Sequence, residues 1–113
     1  MNVYCIGEVL IDMMMDKFPN YEAKFGGAPA NVAYHLGKAG SQTYFIGNIG
    51  NDYLGQFLKD TLKSANIDLT YTTFSSNTPL AFVSWDKEGE RDFQFYLPQF
   101  DDYSVPAINL SKQ

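Results

Sequence analysis

The stretch Gly26-Gly27-Ala28-Pro29-Ala30-Asn31-Val32-Ala33 constrains this chain more than any other, because it joins two adjacent glycines directly to a helix start. Glycines tolerate positive φ and carry no side chain to hold a ligand away from the backbone. Pro29 has no N–H to donate and suits the first turn of a helix, where that donor would lack an intrahelical partner anyway. Asn31 then falls among the free N–H groups of the first turn, with a carbonyl and an NH₂ that can pair with a hydroxyl in either sense. A bare backbone beside such a side chain is suited to holding a polyol. A plain Gly-rich turn capping a helix accounts for the same string equally well, so its surroundings have to decide.

Those surroundings alternate strands with helices. Asn2 to Gly7 is continuously apolar and reads as a buried, parallel-type strand. Met13 to Phe25 is a polar-aromatic excursion around Phe18-Pro19-Asn20, which predicts a short hairpin, with Met13-Met14-Met15 as apolar filler in a strand. A first helix is predicted from Pro29 to Ala39, ended by Gly40, and a strand from Gln42 to Ile46. Leu54, Phe57/Leu58 and Leu62/Ala65 recur at helical spacing, so a second helix runs from about Asp52 to Ala65. Asn51 or Asp52 supplies its N-cap, and Asn66 tolerates the left-handed conformation wanted after its end. A further strand is expected over Leu69 to Phe74. Leu80–Trp85 and Asp92–Tyr96 then form a hairpin around Asp86-Lys87-Glu88-Gly89-Glu90. The alternation predicts an α/β unit with a parallel sheet. The aromatic hairpin stands outside it.

Charge and cysteine content narrow the function classes. Thirteen acidic against eight basic residues leave a net charge of −5, which argues against nucleic acid as the main partner, since phosphate binding needs a basic face. No apolar run is long enough to span a bilayer. The start, Met-Asn-Val-Tyr-Cys-Ile-Gly, lacks the basic region and cleavage site of a signal peptide. One cysteine excludes an internal disulfide, and together these features predict a cytoplasmic protein. Cys5 reads as core packing and His35, the single histidine, as a helix-surface residue without partners for a metal site.

Beyond Ala33, the spacing continues with Gly40 and Gly50, and the chain opens on Gly7-Glu8-Val9-Leu10-Ile11-Asp12. Further segments follow in order: Tyr44-Phe45-Ile46-Gly47-Asn48-Ile49-Gly50-Asn51-Asp52, then Thr78-Pro79-Leu80-Ala81-Phe82-Val83, then Gly89-Glu90-Arg91-Asp92-Phe93-Gln94-Phe95-Tyr96. With these motifs the chain closely resembles the ribokinase-like, or PfkB, carbohydrate kinases, fructokinase-type members above all, over nearly its whole length. The resemblance implies the N-terminal part of a three-layer α/β/α fold with a parallel core sheet and a small β-sheet lid. It places the core at about 1–12, 26–74 and 101–113 and the lid strands at about 13–25 and 79–97. It also implies ATP and magnesium, a small sugar as substrate and a homodimer joined through the lid sheets. Family members are more than twice as long. Their Asp-Thr-x-Gly-Ala-Gly-Asp-type segment, which supplies the catalytic aspartate and the anion hole, has no match here, and no Gly-x-x-x-x-Gly-Lys-Ser/Thr loop replaces it. The expectation is therefore a fragment with no catalytic residue and no metal site of its own, inactive alone.

Asp12 closes the strand-like Val9-Leu10-Ile11. Ligands of open α/β sheets bind outside the carboxyl ends of strands, and a carboxylate there can accept from two sugar hydroxyls. By resemblance Asp12, Gly26, Gly27 and Asn31 are the sugar contacts. Phe95 and Tyr96 are candidates to cover the sugar, but side chains alternate along a strand, so only one can face it. Its companions are either Ala81/Val83/Trp85 or Leu80/Phe82. Leu97 stands where many fructokinase-like members carry arginine, which puts fructose itself in question. Glu90 and Arg91 read as hairpin-edge charges, Asp101-Asp102 as a solvated turn, and Asn48 and Asp52 as loop residues near the site. A non-catalytic sugar-binding or dimerisation module, or a kinase for nucleosides or other sugar-like substrates, are the alternatives.

Overall fold

The continuous apolar run at the N-terminus extends as β1 (Asn2–Ile6), which pairs in parallel with β4 (Gln42–Ile46) so that Val3 faces Thr43 and Cys5 faces Phe45. The computed structural model describes residues 2–96. Leu97, Asp101, Asp102 and the final core segment expected at 101–113 lie outside the described residues. Between β1 and β4 come β2 (Leu10–Met15), β3 (Tyr21–Gly26) and the helix α1 (Ala28–Lys38). After β4 come β5 (Asn48–Ile49), α2 (Tyr53–Ser64), β6 (Thr73–Phe74), β7 (Leu80–Trp85) and β8 (Arg91–Tyr96).

Local chemistry sets both helices. Pro29 lies in the first turn of α1, and Gly40 takes φ 98 just beyond its end, where its N–H reaches the carbonyl of Gly37 and that of Ser41 reaches Leu36. Asp52 caps α2 by accepting from the Gly55 N–H at 2.8 Å, and Asn66 turns the chain away with φ 61. α1 packs on one face of β1 and β4, and α2 packs beside it against α1, β2 and β5. Ala30 and Ala33 from α1 and Leu58 and Leu62 from α2 meet Cys5, Phe45 and Ile49 in one buried cluster. The opposite face carries Tyr4 stacked on Tyr44 at 4.9 Å, with Tyr71 beside them.

Two sequence expectations change here. The strand placed over Leu69–Phe74 is broken: Asp68 bridges Tyr44, the chain turns, and only β6 is extended, paired in parallel with β5. The Asp68 side chain accepts from the N–H and the hydroxyl of Thr70, and this local bond offers the backbone an alternative to a ladder. In addition, Asp12 does not end a core strand. Gly7 closes β1 by bonding Ile46, the chain restarts as β2, and Asp12 is the third residue of that new strand.

That strand belongs to a separate four-stranded sheet of order β3-β2-β7-β8, in which β2 and β7 run parallel and the other pairs antiparallel. The expected hairpins are both present. Bonds from Asp16 N–H to Asn20 O and from Asn20 N–H to Lys17 O close the first. In the second, Asp86 accepts from the N–H groups of Glu88 and Glu90, and Gly89 takes φ 80. We call this sheet the lid.

Candidate functional site

The register of the lid decides which residues share a face. Lys24, Asp12, Ala81 and Phe95 stand directly across from one another on β3, β2, β7 and β8. Opposed residues point to the same side of a sheet, and neighbours along a strand to opposite sides. One face therefore carries Asp12, Gly26, Lys24, Ala81, Val83, Phe93 and Phe95. The other carries Ile11, Phe25, Leu80, Phe82 and Tyr96. Ile11 is fully buried and enters the core cluster, so the second face is tied to the α/β body at its Ile11 end.

Asp12 and Gly26 meet at the root of the first face. A Cβ placed on Gly26 would lie 2.5 Å from Asp12 Oδ2, so a larger residue there would push this carboxylate out of its present position. Gly27 follows as the N-cap of α1 with φ 100, and a Cβ there would lie 2.7 Å from the Glu8 carbonyl oxygen. Asn31 is half-buried one turn into α1 and donates its Nδ2 to the Gly27 carbonyl at 3.2 Å. The two glycines, Asp12 and Asn31 are thus gathered where β2, β3 and α1 converge. Burial pushes the Asp12 carboxyl above its ordinary value, and the charge of Arg91 partly offsets this. A partly desolvated carboxylate beside bare backbone can accept from hydroxyls that would otherwise keep their water.

The two aromatic candidates separate. Phe95 shares the face of Asp12 and stacks on Phe93 with ring centroids 6.0 Å apart. Tyr96 is on the far face, edge-on to Phe82 at 5.3 Å. There Phe18, Tyr21, Leu80, Phe82, Gln94 and Tyr96 line a cavity of about 550 Å³.

The two loop candidates are occupied by structural bonds. Asn48 donates to the Ser75 carbonyl and accepts from the Thr73 and Ser75 hydroxyls. Asp52 accepts from the Thr78 N–H at 2.9 Å and from the Thr78 hydroxyl at 2.5 Å, besides capping α2. Burial would raise the Asp52 pKa, but these bonds from Thr78 and Gly55 outweigh it and hold it below its ordinary value. Thr78, which sequence reasoning did not single out as a partner of Asp52, directly precedes Pro79 and β7, so Asp52 fastens the root of a lid strand to α2. Among the described residues no three of His, Cys, Asp and Glu form a group able to hold a metal ion.

The pattern described as pfkB family carbohydrate kinase matches residues 1–112. The chain belongs to that family. A probable fructokinase-7 of Arabidopsis thaliana is 39% identical over 97% of this chain and 35% of its own length. Fructokinase of Xylella fastidiosa, solved with bound ATP, superposes with a TM-score of 0.78 at 36% identity over 86% of this chain and 33% of that one. Aminoimidazole riboside kinase of Salmonella enterica gives a TM-score of 0.72 at 25% identity, covering 86% and 31%. The fold is thus that of ribokinase-like kinases, and the chain spans about a third of the length of these relatives.

Proposed function

We propose that the full-length protein carrying this segment is an ATP-dependent sugar kinase of fructokinase type, and that this segment holds and covers the sugar. The observation that carries the reading is the approach of the Asp12 carboxylate to Gly26, whose missing Cβ leaves the space the carboxylate occupies. Asp12 accepts from sugar hydroxyls, the Gly26-Gly27 backbone lets the ring come close, and Asn31 Oδ1 adds an acceptor. Phe95 packs over the sugar and keeps water from the transferring phosphoryl group. ATP, whose site lies mostly in the remainder of the protein, supplies that group to a sugar hydroxyl. The 113-residue chain alone transfers none, because the base and the anion hole are elsewhere. The buried, free Cys5 suits a cytoplasmic location.

Calorimetric titration of fructose and of ATP into full-length protein tests the reading. Asp12→Ala is expected to weaken sugar binding by about 1–3 kcal/mol, the cost of leaving hydroxyls unpaired in a closed site, and to leave ATP binding unchanged. Unchanged sugar affinity would remove Asp12 from the site. The likeness to aminoimidazole riboside kinase favours a riboside as the second substrate class, and the same titration with a riboside in place of fructose separates the two.

The lid also supports a homodimer. Its far face presents Phe18, Phe82 and Tyr96 around an open cavity, and aromatic surface of this kind is enriched at interfaces. Sedimentation of the wild type beside Phe82→Ser/Tyr96→Ser checks this. A wild type that stays monomeric at micromolar concentration defeats it.

A further inference from the structure

Arg91 is the only arginine of the chain and stands at the first position of β8. Read from the sequence it is a solvated charge at a hairpin edge. The register gives it another place. Arg91 opposes Trp85, and Trp85 follows Ala81 and Val83 along the same side of β7. Arg91 therefore belongs to the face that carries Asp12, Phe93 and Phe95. Its guanidinium carbon sits 5.3 Å from the centroid of the Trp85 ring, a cation–π contact that holds the group against the sheet. Arg91 and Trp85 both remain exposed, so the contact positions the guanidinium while leaving its N–H groups open to a ligand.

The spacing suits a small polar ligand. The row of Asp12 and Ala81 is four positions along β7 from the row of Trp85 and Arg91, about 13 Å at the rise of an extended strand. An arginine side chain spans about half of that, which leaves an interval of roughly one monosaccharide between its donors and the Asp12 row. The charge of Arg91 reaches Asp12, the one ionised group whose influence on that carboxyl is resolved. Lys24 lies directly across from Asp12 on β3, and Glu22 lies across from Met14 on the same strand. Both are exposed, and Lys24, unlike Arg91, is attached to no ring.

We infer that Arg91, held on Trp85, is a specificity-determining residue that donates to a substrate oxygen at the end opposite Asp12. Resting on the sugar-kinase reading, this gives the site an acceptor at one end and a fork of donors at the other. Sugars placing a hydroxyl or carbonyl oxygen at that end are preferred over analogues lacking it.

The test uses full-length protein, with KM for sugar and for ATP measured on wild type, Arg91→Leu, Arg91→Lys and Trp85→Leu. Arg91→Leu is expected to raise the sugar KM about 10- to 100-fold, the usual worth of a charge-assisted hydrogen bond, and to leave the ATP KM unchanged. Arg91→Lys recovers part of the loss and Trp85→Leu loses an intermediate amount. Calorimetric sugar binding against pH adds a second readout. Without Arg91 the Asp12 carboxyl rises further, so the acid limb of binding moves to higher pH; Arg91→Lys keeps it near the wild-type position. A wild-type sugar KM and an unmoved acid limb in Arg91→Leu overturn the inference while leaving the kinase reading intact. A wild-type protein that phosphorylates no sugar defeats that reading, and this inference with it.

Discussion

The α/β body and the lid use apolar residues in opposite ways. In the body, Phe45, Ile49, Leu58 and Leu62 are fully buried between two helices and a parallel strand pair. In the lid, no residue of β8 is buried, and Phe93, Phe95 and Tyr96 are each about half exposed. An apolar side chain in the body is stabilised by what the chain itself packs around it. One on β8 of the lid is left for something else to cover, whereas Ile11, Ala81 and Val83 on the lid's inner strands are buried. The difference separates residues that hold the fold from residues that wait for a ligand or a second copy.

The largest expected effect lies in the body. Leu62→Ala removes a fully buried side chain from the main cluster and should cost about 2–5 kcal/mol, read from the midpoint of denaturant unfolding. A cost near zero would mean the body is not the packed half. At the junction, Asp52→Ala removes the cap of α2 and the tie to Thr78, a loss of about 1 kcal/mol. The Asp52 pKa is lowered in the fold, so its contribution is present above the ordinary carboxylate value and disappears as pH falls through the depressed one. Acid unfolding of Asp52→Asn should therefore be less steep than that of the wild type below about pH 4. Equal steepness would show that the tie does not form. In the lid, Phe93→Ser with Phe95→Ser should shift unfolding less per side chain than Leu62→Ala does, because each ring is only about half covered, while weakening sugar binding. A large stability loss from that pair would erase the contrast between the two regions.

Elements governed by neighbours in sequence were legible from the sequence. The cap at Asp52, the stop at Gly40 and the loop around Gly89 each mark a boundary with a residue whose chemistry permits little else. What escaped depends on contacts across the chain. Asp68 turns away a strand that the side chains of Leu69 to Phe74 would accept. The end of β1 is set by the bond from Gly7 to Ile46, which no pattern around Asp12 announces. The separation of Phe95 from Tyr96 follows from alternation, but which of them joins Asp12 follows only from the register of three strands. The placement of Arg91 was hidden for the same reason, although counting by twos back from Phe95 would have found it.

Ile11 and Asp12 are adjacent on β2, one fixed in the core and the other in the candidate site. Because side chains alternate, inserting or deleting a single residue between Gly7 and Ile11 would trade their places, driving a carboxylate into the apolar interior and an isoleucine out toward the ligand. Changes in length are therefore tolerable at the Lys17–Asn20 tip and forbidden at the base of the same strand. An engineer grafting loops onto this scaffold, or a lineage diverging from it, has the hairpin tip to work with and no freedom at its root.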